Sequence, residues 1–299
     1  MTALRRAIDS AAVRLAEAGI DSARWDAEQL AAHLTGTDRG RLTLLDQPGD
    51  EFFGRYREVV DARSRRVPLQ HLTGSAAFGP VQLQVGPGVF IPRPETEALL
   101  AWASAQQLSS RPVIVDLCTG SGALAVALAH YWPTARIVGV DDSEDALDYA
   151  CRNGAGVSIE LIRADITAPG LLPELDGGVD LVVANPPYVP DDAILEPEVA
   201  QHDPHHAVFG GPDGMAVIPA VVGLAGRWLR PGGLFAVEHD DTTSSATVEL
   251  IDRTGLFSEI MPRRDLTGRP RFVTALKRSG ARDLRCDDAE RSDEEERRP

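Results

Sequence analysis

The stretch from Val113 to Ala129 constrains the architecture more than any other part of this chain. Val113-Ile114-Val115-Asp116-Leu117 is short, apolar and rich in β-branched residues, the composition of a strand buried on both faces. Cys118-Thr119-Gly120-Ser121-Gly122 follows at once, and then Ala123-Leu124-Ala125-Val126-Ala127-Leu128-Ala129, a run of helix formers. Strand, glycine turn and helix open a βαβ unit, and residues 90–277 continue the alternation. The predicted fold is α/β, a doubly wound sheet. Two late apolar runs, Leu256 to Ile260 and Phe272 to Leu276, have no helix between them and are predicted to pair antiparallel.

The carboxyl ends of such strands carry the ligands. Gly120 and Gly122 let the backbone turn sharply and approach a bound molecule. Ile137-Val138-Gly139-Val140 ends in Asp141, 21 positions beyond Gly120, the spacing of an acid that takes ribose hydroxyls. Ile159 to Ala164 ends in Asp165, placed to accept from an adenine amine. Helix capping is the alternative for both acids. Gly120-x-Gly122-x-x-Ala125 by itself fits a nicotinamide dinucleotide as well as S-adenosyl-L-methionine. Acids closing three successive strands (Asp116, Asp141, Asp165) favour the cationic sulfonium over a pyrophosphate.

A fourth strand, Leu181-Val182-Val183-Ala184, is stopped by Asn185-Pro186-Pro187-Tyr188. Two prolines without N–H groups cannot extend a sheet. What they leave is a stiff corner with free carbonyls, a side-chain amide and an aromatic ring. The Asn185 oxygen and a carbonyl from Pro186-Pro187 can accept both N–H groups of a planar NH2, orient its nitrogen and raise its nucleophilicity. Tyr188 can lie against the flat group and exclude water. Nothing near Asn185 resembles a dedicated base, so direct displacement at a methyl carbon, driven by alignment and desolvation, is the expected chemistry.

Phe90-Ile91-Pro92-Arg93-Pro94-Glu95-Thr96-Glu97, the loop from Asp116 to Gly122 and Asn185-Pro186-Pro187-Tyr188 together resemble the peptide chain release factor N(5)-glutamine methyltransferases, from the first helix to Leu276. The resemblance implies a seven-stranded doubly wound S-adenosylmethionine-dependent methyltransferase sheet with a small N-terminal helical domain. It implies donor binding by Cys118, Thr119, Gly120, Ser121, Gly122, Asp141, Asp165, Ile166 and Asn185. It also implies that Asn185, Pro186, Pro187 and Tyr188 bind the glutamine of a Gly-Gly-Gln loop in bacterial release factors, with Asn185, Pro186 and Tyr188 carrying the catalysis. Two positions depart from the family pattern. Cys118 stands where glycine is frequent, and Glu238-His239-Asp240 replaces Glu-x-Gly. Asp213-Gly214 after Gly210-Gly211, and Gly268-Arg269, match later landmarks and read as turns. The acids after Pro94 suit a helix start, and whether Phe90 and Arg93 line the site stays open.

Residues 1–75 read as a helical substrate-recognition domain, 76–89 as a hairpin connector, 90–277 as the methyltransferase domain and 278–299 as a disordered charged tail. Leu4, Ile8, Ala11 and Leu15 recur at helical spacing, as do residues from Ala23 to Leu34, with Asp21-Ser22 as the cap. The Arg63-Ser64-Arg65-Arg66 cluster reads as a solvated helix end, with partner contact as the alternative, and His71 as structural. Three cysteines without paired spacing indicate neither zinc nor disulfides, and no apolar stretch reaches a membrane span, so the expected location is cytoplasmic. The net charge is −15, of which the tail carries only −2. That argues against a phosphate backbone as the main partner and suits a basic protein surface. An amino methyltransferase of DNA or RNA, which shares Asn-Pro-Pro-Tyr, and a non-catalytic adaptor are the competing readings.

Overall fold

The computed structural model describes residues 2–45 and 48–279, so most of the charged tail, with Cys286, lies outside the described residues. Its first part is helical, with α1 (Ala3–Glu17), α2 (Ala23–Thr35), α3 (Asp50–Ser64) and the single turn α4 (Leu69–Thr73). Leu4, Ile8, Ala11 and Leu15 form one stripe of α1 and are buried, packing with Leu30, Ala31, Tyr56 and Val60 into a core separate from the sheet. One detail differs from the sequence reading. Ser22 stands at the N-cap position of α2, but its hydroxyl donates to Asp26 Oδ1 at 2.8 Å instead of accepting a backbone N–H. Trp25 is 45% exposed, with the Arg39 guanidinium 3.9 Å from its ring centroid.

The basic cluster ending α3 is no solvated helix end. Arg63 is buried, donating to Asp26 Oδ2 at 2.7 Å and Glu198 Oε1 at 2.8 Å. Arg66 donates to Glu198 Oε2 at 2.6 Å, to Glu196 Oε2 at 3.1 Å and to the Gly19 carbonyl at 2.7 Å. Only Arg65 faces solvent in the way the composition suggested. The two arginines therefore tie the helical unit to a segment more than 130 residues away, just beyond the Asn-Pro-Pro-Tyr corner.

A hairpin of β1 (Ser75–Phe78) and β2 (Val81–Gln84) leads into the sheet, antiparallel from Ser75↔Gln84 to Phe78↔Val81. Then come α5 (Thr96–Ser104), β3 (Val113–Leu117), α6 (Ala123–Tyr131), β4 (Arg136–Asp141), α7 (Glu144–Asn153), β5 (Ile159–Arg163) and β6 (Val179–Ala184). The short helices α8 (Pro197–His202) and α9 (His205–Val208) follow, and α10 (Ile218–Trp228), β7 (Leu229–Glu238), α11 (Ser244–Arg253), β8 (Phe257–Arg264) and β9 (Pro270–Lys277) complete the fold. The seven-stranded sheet has the order β5-β4-β3-β6-β7-β9-β8, parallel except that β9 runs antiparallel to both of its neighbours.

From β3 the chain steps outward to β4 and β5, then crosses back to place β6 on the other flank of β3. That reversal is a topological switch point, where a crevice opens beyond the carboxyl ends of the strands. The register brings those ends level: Leu117 pairs with both Val140 and Ala184, and Asp141 pairs with Arg163. Apolar layers close both faces, one around Trp228, Phe235 and Phe257, the other around Leu99, Leu124 and Leu128. β3 and β6 are consequently buried on both sides, which is why they read as continuous apolar runs.

Candidate active site

Over the switch point lies a cavity of about 1070 Å³, its open mouth included. Cys118, Thr119, Gly120, Ser121, Asp141, Asp165, Ile166, Asn185 and Pro187 all line it, so the ends of four strands far apart in sequence converge. Gly122, Pro186 and Tyr188 are not in its lining. Gly122 instead starts α6 at φ +81, and a Cβ there would stand 3.2 Å from that of Ala150. Cys118 adopts φ +57, the left-handed region, which explains why glycine suits this position and means that the cysteine carries local strain.

Backbone and carboxylates fix the loop. Asp116 is fully buried; its Oδ2 accepts from the Thr119 hydroxyl at 2.6 Å and from the Ala125 N–H at 3.1 Å, while its Oδ1 has no partner among the described residues. Burial pushes the Asp116 carboxyl up to about 7, against those two hydrogen bonds, with Asp141 adding to the rise. Asp141 accepts from Gly120 N–H at 2.8 Å and Ser143 N–H at 3.0 Å, so it shapes the glycine turn and the turn into α7, whose N-cap is Ser143. Each of its oxygens keeps a further lone pair. Asp165 is exposed at the rim, where its Oδ1 accepts from both the backbone and the hydroxyl of Thr167, which hold its carboxyl below the usual range. Neither Asp141 nor Asp165 is a helix N-cap: Ser143 holds that place for α7, and Asp165 closes a turn that starts no helix.

The cavity lining contains four carboxylates (Asp116, Asp141, Asp142 and Asp165) and no lysine or arginine. A pyrophosphate would be repelled there, and a sulfonium or ammonium group would be attracted. The orphaned Asp116 Oδ1 is a buried acceptor of the kind that a cationic ligand satisfies. The residues present therefore fit S-adenosyl-L-methionine.

Asn185 sits one residue past the end of β6, and its Nδ2 donates to the Thr96 hydroxyl at 3.0 Å. That bond leaves Oδ1 as the free acceptor of the amide. Thr96 lies in the first turn of α5, is 3% exposed and also lines the cavity. Sequence reasoning had read it only as part of a helix start. Phe90 and Pro92 line the cavity, whereas Arg93 does not; its guanidinium lies 4.9 Å from the Phe90 ring centroid and pairs with buried Asp203. Pro204, His206 and Ala207 cover the far side, and nothing in their local sequence pointed there.

Tyr188 turns away from the cavity wall. Its hydroxyl donates to Glu238 Oε2 at 3.4 Å and accepts from Arg271 Nη1 at 3.4 Å, and burial raises its proton affinity. The ring packs on the sheet's core, so it buttresses the corner from behind. Gly210 and Gly214 are more than turns. A Cβ on Gly210 would stand 2.6 Å from the Pro187 carbonyl oxygen, and one on Gly214 would stand 2.2 Å from that of Tyr188. The bonds from Val189 N–H to Val208 O and from Gly210 N–H to Val189 O lock the two segments together. Contrary to the sequence reading, a carboxyl group does stand near Asn185: Glu238, at the end of β7, is wholly buried.

Residues 6–74 match the family described as PrmC N-terminal domain, and residues 114–196 match the one described as Methyltransferase domain. The chain is 73% identical over 278 residues to a release factor glutamine methyltransferase of Mycobacterium tuberculosis, covering 92% of this chain and 91% of that protein. It is 46% identical over 283 residues to the protein of the same name in Streptomyces coelicolor, covering 93% and 99%. A 4-amino-L-phenylalanine/4-methylamino-L-phenylalanine methyltransferase of Streptomyces pristinaespiralis is 38% identical over 270 residues, covering 87% and 91%. With both parts of the chain matched and such identity carried over nearly its whole length, this protein belongs to the release factor glutamine methyltransferase family.

Proposed function

We propose that this protein transfers a methyl group from S-adenosyl-L-methionine to the side-chain amide nitrogen of the glutamine in the Gly-Gly-Gln loop of bacterial peptide chain release factors. The observation that carries this reading is the Asn185 amide. Its NH2 is committed to Thr96, so its oxygen remains to receive an N–H at the edge of a cavity walled by carboxylates. An acceptor placed there suits a carboxamide or amine substrate and has no use in hydride transfer.

The donor supplies an electrophilic methyl carbon on a sulfonium. Attack by the substrate nitrogen would form the C–N bond as the C–S bond breaks, releasing a neutral thioether, with the nitrogen's proton passing to water. Asn185 Oδ1 and a carbonyl of the Pro186-Pro187 stretch, of which Pro187 lines the cavity, hold the two substrate N–H groups, and Asp141 holds the ribose. Phe90 and Pro92 narrow the approach. Alignment of this kind lowers barriers by roughly 7–11 kcal/mol in favourable systems. The helical unit recognises the release factor, and the net charge of −15 favours encounter with a basic protein surface in the cytoplasm, without nucleic acid or membrane. Among the described residues no helix is long and apolar enough to cross a membrane.

The test uses labelled donor with a release factor, its Gln→Ala loop variant, or duplex DNA. Label on the intact factor alone is expected; label on DNA supports the amino methyltransferase of nucleic acid instead. Asn185→Ala should cut turnover by about 10²–10³, the range for losing one group that acts on the reacting centre, and leave donor affinity within a few fold. A large loss of donor binding would contradict this division of labour.

A further inference from the structure

The segment that follows the proline corner contributes no strand to the seven-stranded sheet. From Val189 to Phe209 it forms the short helices α8 and α9 and an isolated bridge between its own ends. Yet Pro204, His206 and Ala207 of this strap are part of the cavity wall. A wall without ladder hydrogen bonds to the fold opens easily unless side chains fix where it stands. One end of the strap is tied to the helical unit, through Glu196 and Glu198 to Arg63 and Arg66. The other returns to the corner through the bonds among Val189, Val208 and Gly210.

Between these anchors, His202 meets the His71 ring edge-on with centroids 6.3 Å apart, and neither Nε2 has a hydrogen-bond partner among the described residues. The stronger hold on this middle stretch is an ion pair, in which the Arg93 guanidinium donates to Asp203 Oδ2. Asp203 stands immediately before Pro204, its side chain is wholly buried, and its Oδ1 has no partner among the described residues. A buried carboxylate is costly unless paired, so the place of Asp203 follows that of Arg93. Arg93 is committed on its other side as well. Pro92 and Pro94 flank it and restrict its backbone. Its guanidinium lies 4.9 Å from the Phe90 ring centroid, a cation–π approach. Phe90 and Pro92 line the cavity, whereas Arg93 does not, so direct attraction for a ligand does not account for it. One guanidinium thus grips an aromatic from one part of the wall and the carboxylate that leads into another, 110 residues later in the chain.

We propose that Arg93 is a positioning residue for the methyl-donor site: by joining Phe90 to Asp203 it sets how closely the Phe90-Pro92 wall and the Pro204-Ala207 wall enclose the donor. The inference rests on the donor assignment and not on which amide receives the methyl group. Asn185 is held separately, by the Thr96 hydroxyl. Loss of the clamp therefore acts on donor affinity first, and less on turnover at saturating donor.

The experiment titrates S-adenosyl-L-methionine by calorimetry into the folded wild type, Arg93→Met, Arg93→Lys and the double variant Arg93→Met with Asp203→Leu, with urea midpoints measured alongside. Hydrogen exchange at the Ala207 and Phe209 amides, which donate to Pro204 and His205 carbonyls, reports the strap itself without donor. Arg93→Met should weaken donor affinity by about 10-fold or more, the lower end of what losing a partner that orients a binding group costs at metal sites, and should speed exchange at both amides. Arg93→Lys keeps the charge but not the planar stack on Phe90, and should fall between Arg93→Met and the wild type. The double variant removes the stranded charge, so its urea midpoint should return towards that of the wild type while donor affinity and exchange stay impaired. A merely structural ion pair would not produce that split. Donor affinity in Arg93→Met equal to wild type, or affinity that returns with stability in the double variant, would overturn the proposal. A wild type that binds no S-adenosyl-L-methionine would instead defeat the donor assignment.

Discussion

Replacing Arg63 by Met tests how the helical unit is held to the catalytic one. Arg63 is the hub of a buried triad in which the Arg63 and Asp26 side chains are 7% and 3% exposed and that of Glu198 17%. Methionine keeps much of the apolar stem but leaves Asp26 with only its bond from Ser22, and Glu198 with only Arg66. Burial pushes the Glu198 carboxyl up, yet its bonds to Arg66 and Arg63 outweigh that and hold it below its ordinary value. Breaking a buried pair from one side costs about 3–5 kcal/mol, whereas an exposed pair is worth under about 1 kcal/mol. Arg63→Met should therefore lower the urea midpoint by the larger amount, read by circular dichroism and tryptophan fluorescence. Adding Asp26→Leu should recover most of the loss, because an apolar replacement removes the stranded charge. Turnover on a release factor should fall further than stability explains, since Glu196 and Glu198 belong to the segment that follows the proline corner. A loss below about 1 kcal/mol, with full activity, would refute the view that this triad fastens the two units.

Four further outcomes follow from the site. Asp141→Ala frees the Gly120 and Ser143 N–H groups and removes the ribose acceptor, so donor affinity by calorimetry should fall by at least about tenfold, roughly 1.4 kcal/mol or more. Asp116 titrates near 7, so donor affinity should rise between about pH 6 and 8 as its carboxylate forms opposite a cation, and Asp116→Asn should flatten that rise. Stability carries the opposite sign: Asp116 and Glu238 hold protons when folded that they release on unfolding between about pH 4 and 7, so unfolding free energy should decline across that window as pH increases. Cys118→Gly relieves a left-handed side chain at φ +57 at some cost in chain entropy, and should change stability by no more than about 1 kcal/mol while keeping donor affinity.

Local patterns reached the sheet and much of the site. A strand buried on both faces shows itself in a run such as Val113 to Leu117, and prolines end a strand wherever they stand, so the positions of Gly120, Asp141 and Asn185 along one sheet edge were legible from spacing alone. The match between strand period, glycine turn and helix former leaves few alternative topologies. Sequence also supplied the sign of the ligand, because the acids closing successive strands lie within reach of one cavity whenever the strands are parallel and adjacent.

What remained hidden depended on which side chain meets which across long separations. Tyr188 reads as a cavity aromatic until the sheet places Glu238 and Arg271 behind it. Arg63 and Arg66 read as a solvated basic run until the fold brings Glu196 and Glu198 against them. Thr96 looks like one residue of a helix start, and only the packing of α5 against β7, the strand beside β6, turns its hydroxyl to Asn185, 89 residues away. Backbone propensity and periodicity are local and survive in the linear chain. The partners of a buried polar group are not local, because desolvation makes them obligatory only once the core has closed around them.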